Sequence, residues 1–359
     1  MGSLYSRAYL VIAASGARDS SDGCFVNRIS PNPSVRLPYK ADGIQDGDGD
    51  VLFTLAYRYE REPTAEPLGK RAWVLQEWAL ARRLVHFTSS GLMCSCHRLG
   101  MQAMREDGTV VRSSEVKSWD DVIGAYTIRD LTYLSDKLTA VQGIANEMQA
   151  SRKDRYVSGL WDGELPQQLF WIGRETRRPD ALRAFPTWSW ASTHGACLDW
   201  TPRRLVGGRL SAHSKCEFED ESTLVVVAKG KDCLIKEWTN LVHDHVREAP
   251  FSGHKTSSIS SLPVHFYGTV VHHMLDPSTG SIIGIAVLDE KDAFSEGEYR
   301  CTSLFLMRED EHPSRPGEEI VNLVLLIRVS GGNYHRIGVG FIVDVDWFLR
   351  EEAQEFRIK

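Results

Sequence analysis

The sequence predicts an α+β protein of 359 residues, a length sufficient for two domains of ordinary size. Three observations support this class. A helical pattern runs directly into a short apolar strand at residues 71–88. Two further helical patterns and two tryptophan-rich segments follow. From residue 205 onward, short β-type runs alternate with polar breaks, which is typical of a mostly β region. We therefore predict three regions: 1–92, 93–204 and 205–359.

The composition argues against several classes of protein. The net charge of −6 disfavours a nucleic-acid partner, because nucleic-acid binders carry a strong basic excess. No apolar run reaches the length of about 18 residues that a membrane-spanning helix needs, so no membrane partner is expected. The seven cysteines are odd in number and scattered. That pattern indicates reduced thiols in a cytosolic or nuclear protein, and we expect a cytoplasmic location.

We predict four elements in the first region: strand 5–14, strand 51–59, helix 71–82 and strand 83–88. The first strand depends on Tyr9, Val11 and Ile12, which supply the β-branched and aromatic side chains that strands favour. Residues 28–50 hold three prolines and end in a run of aspartate and glycine. This composition predicts a mobile insertion between the first two strands.

In the middle region, apolar residues at helical spacing predict two helices, 115–129 and 136–149. Ser135 is expected to cap the second helix. Four tryptophans are expected to be buried and to pack both helices against the β-rich part: Trp161, Trp171, Trp188 and Trp190. In the last region, short β-type runs predict six strands, at residues 224–228, 264–271, 282–288, 302–307, 321–329 and 337–343.

The helix predicted at 71–82 contains the strongest candidate for a functional site. Trp73, Gln76 and Glu77 recur at helical spacing, so they share a face or adjacent faces. A Gln–Glu pair beside two tryptophans is unusual for a plain core helix. The structural alternative is that the Glu77 carboxylate pairs with a nearby arginine: Arg71, Arg82 or Arg83.

Metal and cofactor sites are not expected. Cys94-Ser95-Cys96-His97 supplies half of a zinc site at most, because a structural zinc ion needs four ligands. We therefore expect Cys94 and Cys96 to be small buried residues after a strand. The aspartate run 46–50 is followed by neither the glycine nor the glutamate of a calcium loop. The usual phosphate-binding, dinucleotide-binding, metalloprotease and hydrolase motifs are also absent.

Arg71, Trp73, Gln76 and Glu77 form an R-x-W-x-x-Q-E block. Five further blocks accompany it: Leu4 to Ala14, Ser20 to Phe25, Leu131 to Ala140, Tyr156 to Trp171 and Pro186 to Ser192. In this order, the blocks resemble the fungal HET (heterokaryon incompatibility) domain and the segment that follows it in many such proteins. The resemblance extends over roughly residues 4–192.

The resemblance implies a cytoplasmic fungal protein of the self/non-self recognition and incompatibility cell-death class. Such a protein acts as a signalling and interaction module with protein partners. HET domains are similar to TIR domains, so residues 1–92 are expected to form the C-terminal part of a HET domain, a partial TIR-like doubly wound unit. Two blocks that open the domain in the family do not occur in this sequence. Their absence is expected to expose apolar faces and unpaired backbone.

The same resemblance leaves two alternatives open. TIR domains that cleave NAD carry a glutamate four residues after a tryptophan, and Glu77 follows Trp73 by four. Glu77 would then stabilise a developing oxocarbenium ion, with NAD as substrate. We expect no enzymatic activity for this chain, because the nucleotide-facing strands of such a fold are absent from the sequence. The other alternative is an inactive truncated fragment.

Overall fold

The computed structural model describes these residues: 2–27, 34–40, 48–54, 62–96, 102–105, 110–112, 118–200, 209–210, 214–237, 271–290, 299–309, 321–343 and 346–359. The chain divides into two compact units. Unit 1 comprises Met1–Lys117 and Arg129–Leu131, and unit 2 comprises Ser118–Ile128 and Thr132–Lys359.

Unit 1 combines a mixed sheet with two helices. Its described elements are α1 (Gly2–Arg7), β1 (Val11–Ala13), β2 (Ser34–Lys40), β3 (Asp48–Thr54), α2 (Ala72–Leu80), β4 (Arg83–Thr88), β5 (Gly91–Cys96), β6 (Gln102–Arg105) and β7 (Val110–Arg112). Five strands form one sheet in the order β1-β4-β5-β6-β7. The pair β1–β4 is parallel, and the other neighbours are antiparallel. The sheet therefore continues without a break past residue 92.

The predicted helix 71–82 and strand 83–88 are confirmed as α2 and β4. Burial alternates strictly along β4, so one face of the strand lies toward the interior of unit 1. On that face, Leu84 packs with Ala13 and Ala81. The direct passage from helix to strand places α2 over the parallel pair β1–β4.

The predicted strand 5–14 is correct only at Val11–Ala13, because residues 2–7 form α1. The Tyr5 hydroxyl is oriented toward the Glu77 carboxylate of α2. The helix covers Gly2-Ser3-Leu4-Tyr5-Ser6-Arg7, which contains no β-branched residue. The strand-favouring residues Tyr9, Val11 and Ile12 lie after the helix, and the strand forms only from Val11.

Residues 28–50 were predicted to be a mobile insertion, and the structure shows that the described part of this segment contains regular strands. Ser34–Lys40 pairs with Asp48–Thr54 in an antiparallel hairpin. Pro38 lies opposite Asp50 in this two-stranded ribbon, where an unpaired strand edge tolerates the missing N–H of proline. The strand predicted at 51–59 is present as far as Thr54, and the rest lies outside the described residues.

In its described residues, unit 2 begins with two helices, and most of its later elements are strands, with short 3-10 helices between β9 and β11. Its main described elements are α3 (Trp119–Thr127), α4 (Gln142–Gln149), β8 (Tyr156–Val157), β9 (Leu160–Trp161), β10 (Trp171–Arg177), β11 (His194–Trp200), β12 (Arg209–Leu210), β13 (Lys215–Phe218), β14 (Leu224–Glu237), β15 (Val271–Leu275), β16 (Ile282–Leu288), β17 (Tyr299–Glu309), β18 (Val321–Ser330), β19 (Asn333–Ile342) and β20 (Ala353–Ile358). The chain is thus an α+β protein with a β-rich C-terminal region, as predicted.

Six antiparallel strands of unit 2 close into a ring, in the order β14-β17-β18-β19-β16-β15 and back to β14. The long strand β14 makes this closure possible, because its second half pairs with β15 on one side and β17 on the other. Its first half pairs with β13 and β20. Five of the six predicted strands coincide with strands of this sheet, and the sixth is described only at its final residue, Val271.

The second predicted helix begins later than expected. α4 starts at Gln142 without a side-chain cap, and Ser135 lies in a separate 3-10 turn, Leu134–Asp136. Between them, the Lys137 ammonium is buried and donates to the carbonyl oxygens of Trp190 and Thr193. These hydrogen bonds anchor the segment to a distant part of unit 2, which the local sequence does not reveal.

The predicted burial of the four tryptophans is confirmed: each is at most 1% exposed. Trp161 makes an edge-to-face contact with Trp119 of α3, and Trp190 contacts Tyr126 of the same helix. The indole N–H groups of Trp119 and Trp190 both donate to the carbonyl oxygen of Gly159, at 2.7 and 2.8 Å. The aromatic segments therefore form one hydrogen-bonded core around α3.

No helix among the described residues is both long and apolar enough to span a membrane.

Candidate functional site

The four residues of the R-x-W-x-x-Q-E block lie at the start of α2 and along it. Arg71 precedes the helix in an extended conformation and is exposed, whereas Gln76 is buried. Trp73 and Glu77 are partly buried. The backbone at this end of α2 is held by a parallel bridge between Arg71 and Asp130, in which Ala72 N–H donates to the Asp130 carbonyl at 2.9 Å.

The Glu77 carboxyl lies beneath α1. Burial raises its pKa, whereas the hydrogen bond from the Tyr5 hydroxyl and the nearby Arg71 guanidinium oppose that rise. Of the three arginines proposed from the sequence as partners, Arg71 is the one that acts on the Glu77 carboxylate. The raised pKa indicates that these contacts compensate only partly for the lost solvation of the charge.

Glu77→Gln should not weaken unit 1 at about pH 7. A carboxyl whose pKa is raised on folding stabilises the fold below its unfolded pKa, and this contribution is lost as pH rises through the folded pKa. The wild-type protein therefore loses stability as pH rises from the unfolded glutamate pKa of about 4.3 through the raised folded pKa, and the glutamine variant does not lose this contribution. Its thermal midpoint should equal or exceed that of the wild type at about pH 7.

The exposed Glu62 of the same unit provides the control. Glu62→Gln should leave the thermal midpoint unchanged at about pH 7. A lower midpoint for Glu77→Gln at about pH 7 would instead mean that ionised Glu77 stabilises unit 1 through Arg71.

A second polar cluster lies at the carboxyl ends of the parallel strands β1 and β4, and the sequence did not point to it. Ser15 follows β1, and its Oγ lies 2.9 Å from Nδ1 of His86 on β4. Both residues are buried. Burial lowers the pKa of His86 to about 4, so the imidazole is neutral near pH 7. The rings of His86 and of Trp78 in α2 are nearly perpendicular, with centroids 4.6 Å apart.

Glu66 lies at the same end of these strands and is also buried. Its Oε1 accepts hydrogen bonds from the backbone N–H of Ser89 at 3.0 Å and from the Ser89 hydroxyl. The Leu68 N–H donates to the Ser15 carbonyl at 3.2 Å. These bonds tie the segment before α2 to the two strand ends. The sequence feature that could have indicated this cluster is the presence of polar residues immediately after two strands.

This cluster does not have the geometry of a serine hydrolase. Ser15 is 0% exposed, so a substrate carbonyl does not reach its hydroxyl in this conformation. The ring of His86 contacts Ser15 and Trp78, and no carboxylate of the described residues contacts it. The pair therefore satisfies buried polar groups between α2 and the sheet.

Among the side chains that the structure describes, the sheet face of unit 1 opposite α2 is largely apolar and partly open to solvent, and Arg83 is a charged residue on it. Ile12, Val85, Cys94 and Met104 are paired in register across β1, β4, β5 and β6, so their side chains share this face. Ile12 is 60% and Met104 49% exposed. Phe25 is 90% exposed, and its ring contacts Phe87 at the same face. We call Ile12, Phe25, Val85, Cys94 and Met104 the outer face.

The expectation that Cys94 and Cys96 are buried residues after a strand is wrong. Both lie within β5; Cys94 is exposed and Cys96 partly so. Cys94 points to the outer face because it is in register with Val85. Among the residues that the structure describes, no group of three or more histidine, cysteine or carboxylate side chains is placed to hold a metal ion.

Comparison of the chain with models of known protein families, with curated proteins and with solved structures found no match in any of the three.

Proposed function

We propose that this chain is a cytoplasmic fungal protein of the HET class, which takes part in self/non-self recognition and incompatibility cell death as a signalling and interaction module. The order of the six sequence blocks supports the class. The outer face supports the mode of action and is the observation that carries it. Apolar surface of this kind on one side of a sheet is typical of protein–protein contact.

We further propose that unit 1 is the C-terminal part of a HET domain with a TIR-like, doubly wound arrangement. Two observations support this. β1 and β4 are parallel neighbours, and α2 lies in the connection between them, as in a β-α-β unit. The strands β5 to β7 then continue antiparallel, a feature that a fully doubly wound fold does not share.

NAD cleavage by Glu77 receives less support. The carboxyl is oriented toward Tyr5 of α1, and burial raises its pKa. A carboxylate that stabilises an oxocarbenium ion must instead be open to the substrate, whereas Glu77 is partly buried beside Tyr5. We therefore propose that Glu77 serves the contact between α1 and α2. We propose no resident cofactor for the chain.

Inducible expression in a filamentous fungus tests the proposal. The wild-type protein should cause cell death, and purified protein incubated with NAD should release no nicotinamide. Glu77→Gln should still kill, because its carboxyl serves packing. Nicotinamide release by the wild-type protein, lost together with cell death in Glu77→Gln, would favour the NAD-cleaving alternative. Survival of cells that express the wild-type protein at a verified level would contradict the proposal and favour an inactive fragment.

A further inference from the structure

Two buried cysteines face each other in the ring of unit 2. Cys233 on β14 and Cys301 on β17 are directly opposite in the antiparallel register, and their Sγ atoms are 3.4 Å apart. They are 0% and 3% exposed. The strand pair that carries them is one of the six pairings that close the ring. The oxidation state of this pair therefore bears directly on ring closure.

The backbone already suits a disulfide. Directly opposite residues of antiparallel strands have Cα atoms about 4.5 to 5.5 Å apart, within the range of about 4.4 to 6.8 Å that disulfides span. The two sulfur atoms need to approach by roughly 1.4 Å to reach a bonded distance of about 2.05 Å. Small rotations of the two side chains supply this movement, so the finished disulfide fits the strand pairing as it stands.

We propose that Cys233 and Cys301 form a reversible cross-strand disulfide when the protein meets a peroxide, and that this bond locks the closure of the ring. One thiolate attacks a peroxide oxygen, which gives a sulfenic acid and releases hydroxide. The second thiol then attacks the sulfenic sulfur, the S–S bond forms and water leaves. In sum, two thiols and one hydrogen peroxide give one disulfide and two waters.

The surroundings determine how the pair responds. The contact of the Cys301 thiol with Cys233, together with burial, raises the pKa of Cys301. The reactive thiolate is therefore scarce. Both thiols pack among apolar residues, including Ile235 and Met274. Oxidation therefore requires a transient opening of the strand pair, and the pair responds to prolonged oxidation. A brief pulse of peroxide should leave it reduced.

Oxidation of the folded full-length protein with hydrogen peroxide, followed by thiol alkylation in denaturant and peptide mapping, tests the proposal. Cys233 and Cys301 should lose their labels together and appear as one cross-linked peptide. A dithiol reductant should restore both labels. The loop closed by the bond is long, so the oxidised protein should melt about 5–10 °C higher than the reduced protein.

Two single variants complete the test. Cys301→Ser should fold, and peroxide should no longer raise its thermal midpoint. Cys216→Ser removes another mostly buried thiol, which lies on β13 outside the ring, and should respond to peroxide like the wild type. Cross-linking of a different cysteine pair, or accumulation of sulfinic acid at Cys233 or Cys301 without a cross-link, would overturn the proposal.

Discussion

Asp289→Asn should destabilise unit 2 by about 3–5 kcal/mol, because it leaves a guanidinium buried without its counter-charge. The Arg336 side chain is 0% exposed and binds the Asp289 carboxylate through two nitrogen atoms, at 2.8 and 2.9 Å. The same guanidinium donates to the carbonyl oxygens of Leu169 and Trp171 and lies 3.6 Å from the Trp171 ring centroid. Arg336 cannot leave this position without breaking all these contacts.

Urea unfolding followed by tryptophan fluorescence measures this loss, since the buried tryptophans Trp161, Trp171, Trp188 and Trp190 are in unit 2. The exposed ion pair between Asp180 and Arg183, 2.7 Å apart, provides a matched control. Asp180→Asn should cost at most about 1 kcal/mol because solvent screens the pair. Equal losses in both variants would show that the burial of the Arg336 charge does not determine its contribution.

Trp190→Ala should cost about 3–5 kcal/mol, as expected for the truncation of a large buried aromatic side chain. The Trp190 ring contacts Tyr126 and lies 5.1 Å from the Lys137 ammonium. Its removal creates a cavity and also withdraws one of the two indole donors from the Gly159 carbonyl. Both losses fall on the aromatic core around α3.

The control for this variant is Tyr133→Ala, since Tyr133 is 70% exposed and its truncation should change stability by less than about 0.5 kcal/mol. Differential scanning calorimetry on the three proteins gives the comparison. A Trp190→Ala protein with wild-type stability would mean that the aromatic core relaxes to fill the space.

The sequence predicted elements whose signal is local. The helix α2 and the strand β4 were placed correctly because periodic apolar residues and a short apolar run are properties of the segments themselves. Most strands of the ring were found for the same reason. The burial of Trp161 and Trp190 followed from the size and apolar character of the side chains.

The remaining features depend on contacts between distant residues. The helical form of residues 2–7 accompanies a contact between Tyr5 and Glu77, and the late start of α4 accompanies the burial of Lys137. The pairing of β14 with β17 joins residues far apart in the sequence. The motif around Glu77 was located from the sequence, but its environment beneath α1 was not. No periodicity encodes such contacts.

The central claim is that the outer face of unit 1 mediates incompatibility cell death. The most direct test replaces Ile12 with lysine, because Ile12 is 60% exposed and lysine is well tolerated at a sheet edge. The fold should be kept, which a thermal melt verifies. Leu349→Lys is the matched control, since Leu349 is 68% exposed in unit 2.

The measurement is the fraction of dead cells, scored with a vital dye, in a filamentous fungus that expresses each protein at equal level. The wild type and Leu349→Lys should kill equally, and Ile12→Lys should fall to the level of the empty vector. Equal killing by Ile12→Lys and the wild type would contradict the claim that the outer face carries the signal.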